Sequence, residues 1–216
     1  MTAGSPRKSK STGSSSERRL YRLKVSLRDV SPGVWRSVLV SPDTTLEKLH
    51  TILQGAMGWE HFHLYRFGWT TRMDGRIVGD SWWTTFVDDE GVESPVENVT
   101  LEALGLRAGD TMTYVYDMGD YWVHDIRVES RPYRKRGKRH PRVLDGRGAC
   151  PPEDCGGPEI YPVLVKLARG KGPVKGELRE WGIGRMRARE ELGKEFDARH
   201  FDLAGANDLL QWYLKE

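Results

Sequence analysis

Apolar and polar residues alternate strictly at the start of the structured sequence. Tyr21, Leu23, Val25 and Leu27 would share one face, and Arg22, Lys24, Ser26 and Arg28 the other. A period of two is that of a half-buried strand, so a strand is expected over residues 21–30. Ser31-Pro32-Gly33 supplies turn chemistry, and residues 34–40 (VWRSVLV) then predict the second strand of a hairpin. The period changes after Ser41-Pro42-Asp43-Thr44. Leu46, Leu49, Ile52, Leu53 and Ala56 recur at helical spacing. Asp43 or Thr44 can cap this helix, Glu47 lies in its first turn, and Gly58 fits its C-terminal stop.

Residues 63–69 (HLYRFGW) read as a further strand, followed by a loop-rich stretch over 70–95 with short strand candidates near Ile77 and Phe86. A helical turn through Leu101 and Leu104 ends at Gly105; Ala108-Gly109-Asp110 then turns into strands over 111–116 and 121–130. Residues 143–161 are dense in Gly and Pro and predict irregular structure, and residues 162–216 are expected to be mostly helical. Their first face is Val163, Leu164 and Leu167; their last is Leu203, Ala206, Leu209, Leu210 and Tyr213. The order of elements resembles the β-grasp layout of ubiquitin-like folds. The expected class is therefore α+β: a β-grasp-like mixed sheet with one main helix after an N-terminal hairpin, plus a C-terminal helical segment. The expected organisation is a disordered basic tail over 1–18, a domain over 19–165 and a mainly helical extension over 166–216 packed on that domain.

Charge sharpens this picture. The formal net charge of the 216 residues is +3, with +4 in residues 1–19 and +7 in residues 131–142, so the remainder sums to −8. The positive charge sits in two segments on an acidic body. The loop RPYRKRGKRHPR over 131–142 could grip a nucleic-acid phosphate backbone; a solvated loop that keeps an acidic body soluble is the plainer reading. With two cysteines, the chain is not a disulfide scaffold. The N-terminus has no apolar signal-peptide core, and no apolar run approaches the roughly 18 residues of a membrane span. A cytoplasmic protein without membrane contact is expected.

Three constellations could carry chemistry. Cys150 and Cys155 flank the stiff C-P-P-E-D-C segment, whose loop could aim two thiolates at a metal. Zinc would want four ligands, with His124 as the first further candidate and His140 and Asp154 as others; two thiols that merely pack a rigid loop are the plainer alternative. The run Asp117-Met118-Gly119-Asp120-Tyr121-Trp122, with His124, is ordinary hairpin chemistry with Trp122 shielding the sheet. It could also place Asp117, Asp120 and His124 in a polar pocket beside Cys150, suited to acid–base work or metal binding. In Trp59-Glu60-His61-Phe62-His63, two histidines at i, i+2 could chelate if the run were extended. Trp59, His63, Asp117, Asp120 and Trp122 are thus the binding candidates, and Cys150, Cys155 and His124 the metal candidates.

Three blocks carry a resemblance to a known family: residues 30–67, the string YDMGDYWVHDIRVE over 116–129 and LDGRGACPPEDCGG over 144–157. In that order they resemble the plasmid pRiA4b ORF-3-like family over roughly residues 20–165. Some members are labelled transposon-resolvase-like passenger proteins, which implies a link to mobile genetic elements. Family members often carry a further Cys in a Tyr-Pro-x-Cys context; here that stretch is His140-Pro141-Arg142-Val143, so a third thiol is absent. Serine-recombinase chemistry is excluded for Ser26, which falls on the polar face of its strand with no activating partner. Motifs for nucleotide binding, serine hydrolysis or zinc proteolysis are absent. The sequence therefore predicts a binding or interaction module with an unidentified protein partner, or alternatively a metal-binding domain or metal-dependent hydrolase.

Overall fold

The computed structural model describes residues 19–73, 76–84, 96, 98–134, 139–171, 184–193 and 196–215. The expected tail over 1–18, the strand candidate near Phe86 and the middle of the basic loop lie outside these residues. The elements run β1 (Tyr21–Leu27), β2 (Trp35–Val40), α1 (Leu46–Met57), β3 (Tyr65–Met73), β4 (Arg76–Thr84), β5 (Thr111–Tyr116), β6 (Trp122–Ser130), β7 (Arg142–Arg147), α2 (Gly157–Ala168), α3 (Arg185–Leu192) and α4 (Leu203–Tyr213).

The seven strands form one sheet in the order β4-β3-β5-β6-β1-β2-β7. The class is α+β, as expected. Every pairing is antiparallel, including that of β1 with β6. The mixed sheet of a β-grasp needs a parallel pair, and none occurs among the described strands. The physical reason lies in the connections: β5 and β6 are joined by a tight turn, which forces antiparallel pairing.

Alternation in β1 and β6 buries one face of the sheet: Leu23, Val25, His124 and Ile126 are each fully buried, and Lys24, Asp125 and Arg127 point the other way. The helices cover the apolar face. Helix α1 starts on Thr45, whose hydroxyl accepts from the Lys48 N–H at 3.1 Å, one residue later than the sequence suggested. It ends on Gly58, whose φ of 100° is the left-handed cap conformation. Its Leu46, Leu49, Ile52 and Leu53 enter the core. Helix α4 lies close against it: a Cβ on Gly55 would stand 2.7 Å from the Leu210 Cα, so only glycine admits this approach.

Residues 143–161 are more regular than their composition suggested. Arg142–Arg147 joins the sheet beside β2, and α2 begins at Gly157, with Pro158 in its first turn and Pro162 inside it. A proline at the first turn costs no hydrogen bond, which is why a Gly/Pro-dense stretch can open a helix. Helix α2 runs across position 165, where the sequence suggested a boundary. Among the described residues, no helix is long and apolar enough to cross a membrane.

Candidate functional site

Three loops meet at one end of the sheet: the α1–β3 connection, the β5–β6 turn and the cysteine loop before α2. The β5–β6 turn is built on Asp117. Its φ is +60°, and its N–H donates to the Leu64 carbonyl at 2.9 Å. Its Oδ1 accepts from the Gly119 N–H at 2.8 Å, and its carbonyl accepts from Tyr121 at 2.8 Å. An aspartate tolerates this left-handed conformation because its side chain closes the turn. The result is a buried carboxylate, 5% exposed, with Oδ2 turned toward the α1–β3 connection.

The cysteine loop docks on both neighbours. The Trp59 indole N–H donates to the Pro151 carbonyl at 2.9 Å, and its ring stacks on Tyr116 at 4.9 Å. Glu153 Oε1 accepts from the Glu60 N–H at 2.9 Å and the Tyr116 hydroxyl at 3.0 Å. The Gly156 N–H donates to Asp120 Oδ2 at 2.9 Å. Gly157, at φ +76°, sits so close that an added Cβ would lie 2.6 Å from the Asp120 carbonyl oxygen. Gly157→Ala should therefore lower stability by roughly 2 kcal/mol, combining left-handed strain with a backbone clash; urea unfolding of the variant measures it.

This docking gathers polar side chains around His63. Its Nε2 lies 3.3 Å from Asp154 Oδ1, 3.7 Å from Asp117 Oδ2 and 3.7 Å from Glu153 Oε2. One ligand atom from each of His63, Asp117 and Asp154 falls within 4.8 Å of the others. His63 Nε2 and Glu153 Oε2 are both buried without a hydrogen bond. Burial, ahead of its two hydrogen bonds, pushes the Glu153 carboxyl above the usual carboxylate range.

The binding candidates read from the sequence are thus neighbours. His63 and Asp117 face each other, Asp120 ties down the cysteine loop, Trp59 anchors it from beneath, and Trp122 lies fully buried 6.1 Å from the Trp59 ring. The metal candidates fare differently. Among the described residues, Cys150, Cys155 and His124 do not come together as a ligand group. Cys155 is fully buried, and burial pushes the Cys150 thiol far up, more than the neighbouring Arg36 lowers it. A thiol so placed stays protonated, whereas a ligand must be thiolate. His124 lies on the core face of β6, with Nδ1 3.1 Å from the Trp122 carbonyl, and burial pulls its pKa down to about 4.

His61 and His63 also part company. His61 has φ +63°, which breaks the extended spacing. Its ring meets His50 and Tyr213, whereas His63 turns to the carboxylates. His140 is outside the cluster. Glu153 was not singled out by the sequence, and Asp154 only as a companion to the thiols. The signal was present: two acids held between a Pro-Pro pair and a Gly-Gly pair.

The plasmid pRiA4b ORF-3-like protein family matches residues 19–205, a span that contains all three loops. The chain belongs to the plasmid pRiA4b ORF-3-like family. One relative is the uncharacterized protein y4hQ of Sinorhizobium fredii, 40% identical over 145 residues, covering 66% of this chain and 69% of that protein. The fold is similar to the crystal structure of MM3350, a protein of unknown function from Methanosarcina mazei Go1. The TM-score is 0.72 at 27% identity, over 88% of this chain and 97% of that one.

Proposed function

We propose that this member of the pRiA4b ORF-3-like family is a binding module whose site takes a divalent metal ion. The ligands are His63, Asp117 and Asp154, with Glu153 beside them. The observation that supports this reading is that His63, Asp117 and Asp154 each place a ligand atom within 4.8 Å of the others, while His63 Nε2 and the adjacent Glu153 Oε2 are buried without a hydrogen bond. Buried polar atoms without a hydrogen bond cost about 1–3 kcal/mol each, and a cation bound by His63 removes that cost at its Nε2. Ligand atoms bound at about 2.1 Å to a common ion stand roughly 3–4 Å apart, and the 3.3 and 3.7 Å separations around His63 fall in that range.

One imidazole with carboxylates suits zinc or manganese and does not require sulfur. Cys150 and Cys155 then act through the loop they frame. This revises the ligand set expected from the sequence while keeping zinc as a candidate.

The test is metal content of protein purified without a histidine tag and reloaded separately with Zn2+ and Mn2+. Uptake of about one ion per chain is expected. His63→Ala and Asp117→Asn should each abolish it, and Cys150→Ser should retain it. Folded protein that takes up neither ion refutes the reading, and so does loss of metal in Cys150→Ser with retention in His63→Ala. Binding should weaken as pH falls, because metal ligands bind in their deprotonated forms.

A further inference from the structure

The sheet has a second face, opposite the helices. Pairing places Lys24, Arg127, Asp125, Ser26, Trp35 and Thr113 on it, with Ser37 buried among them. Among the described side chains, the cations of this face are Arg22, Lys24, Arg28, Arg66, Arg127, Arg142 and Arg147, against the acids Asp125, Glu129 and Asp145. Two of the acids are engaged: Asp125 by Arg28, and Glu129 by Arg22 at 3.1 Å. Lys24 and Arg127 stand directly opposite each other on adjacent strands. Like charges in that position are destabilising, so packing does not explain them. The face is basic although the chain outside the tail and the basic loop sums to −8.

Aromatic rings are interleaved with these cations. Lys24 Nζ lies 5.0 Å from the Trp35 ring centre, Arg66 Cζ lies 5.7 Å from Tyr121, and Arg19 Cζ lies 4.5 Å from Tyr133. Tyr121 is 44% exposed and Tyr133 61%. The Arg19–Tyr133 contact also joins two basic parts of the sequence more than 100 residues apart. The two residues form an isolated bridge, the Arg19 Nη2 donates to the Tyr133 hydroxyl at 2.8 Å, and the Leu20 N–H donates to the Pro132 carbonyl at 2.8 Å. The start of β1 and the basic loop after β6 thereby flank one end of the same face.

We propose that this open face is a docking surface for single-stranded nucleic acid. Cations track the phosphate backbone through counterion release. Rings that already hold a cation offer flat surfaces on which unpaired bases stack, a contact that every base can make. Duplex DNA presents its phosphates but not its base faces, so the aromatic rings favour the single strand. Most of the surface lies on the strands, away from the proposed metal site; Tyr121 belongs to the β5–β6 turn that also carries Asp117.

The experiment is fluorescence anisotropy of the full chain with a labelled single-stranded DNA of about 20 nucleotides, over about 50 to 300 mM salt. Binding that weakens with salt is expected. Lys24→Ala combined with Arg127→Ala should make the log–log salt slope shallower by about 1.4, at about 0.7 per lost phosphate contact on a single strand. Trp35→Ala should weaken binding about tenfold and leave the slope unchanged, because it removes stacking and no charge. Thermal melts establish that each variant is folded, and the Lys24/Arg127 pair, whose side chains leave the core face, keeps the test open if Trp35→Ala unfolds. The proposal is overturned by absence of binding at low salt, or by unchanged affinity and slope in the charge variant. Equal binding of a duplex of the same sequence, or of anionic phosphatidylserine vesicles, overturns it too.

Discussion

Arg36→Ala should lower the unfolding free energy by about 3–5 kcal/mol, one of the larger losses a single substitution can cause. Arg36 is a cation only 2% exposed on the core face of β2. Among the described residues, no carboxylate forms an ion pair with it; carbonyl groups satisfy it. Its Nε donates to Ala56 O at 2.8 Å, and its Nη1 donates to Trp35 O at 2.9 Å and Arg147 O at 3.0 Å. The guanidinium also lies 4.1 Å from the Phe201 ring centre. Ala56 belongs to the last turn of α1, which has no basic residue of its own, so β2 supplies the cation that the negative end of the helix dipole favours.

Desolvation opposes this arrangement and pulls the Arg36 pKa down. Three charge-assisted hydrogen bonds, each about 1.5–3 kcal/mol, outweigh it. Alanine removes the bonds and leaves a cavity. Arg36→Met separates the two effects: it fills the space but removes all three guanidinium hydrogen bonds, and should still cost about 2–3 kcal/mol. Urea unfolding measures both variants. A methionine variant as stable as the parent would mean that the buried charge contributes nothing net.

The segment that predicted β2 already contained Arg36. In VWRSVLV, a period of two puts Arg36 on the same side as Val38 and Val40, and the structure buries all three. Hydrophobic patterning finds β1, α1 and β6 because those segments bury one face, and β2 and β5 because they are apolar runs between turn residues. It does not find β7, because Arg142–Arg147 has only Val143 fully inward and takes its place from backbone pairing with β2. The site divides along the same line. Asp117 and Asp120 were legible because a turn at a strand end limits where their side chains can go. The match of His63 with Asp154 was not, because it depends on two loops meeting across 91 positions of sequence. The thiols drew the reading toward sulfur ligation, yet burial keeps Cys150 protonated and leaves the loop's acids to face the cleft.

Unfolding free energy should fall steeply as pH drops from about 6.5 toward 4, with uptake of about two protons on unfolding. His50 and His124 cause this. His50 is 6% exposed, stacked on Tyr65 at 3.5 Å, with Nδ1 2.7 Å from the Tyr114 hydroxyl; burial pulls its pKa down to about 2. His124 is fully buried, with a pKa pulled down to about 4 for the same first cause. Both are neutral in the folded chain at pH 5, whereas both bind a proton in the unfolded chain below about 6.5. A depressed folded pKa therefore leaves stability intact above pH 6.5 and removes it progressively below, until each folded group titrates. Each proton contributes about 1.4 kcal/mol per pH unit, so the pair contributes about 2.7 kcal/mol per unit once the unfolded chain is protonated. Over the window that amounts to about 5–6 kcal/mol, since the unfolded histidines are only half protonated at pH 6.5 and folded His124 itself titrates near 4, a loss comparable to the whole stability of a marginal domain. Glu153 works in the opposite sense near the bottom of the window, since its folded pKa is raised and its protonation there favours the native state. Urea unfolding at successive pH values gives the slope. The double variant His50→Gln/His124→Gln, in which neither position takes up a proton, should flatten it. A parent protein whose stability is level between pH 6.5 and 4.5 would show that these two histidines are not held neutral in the core.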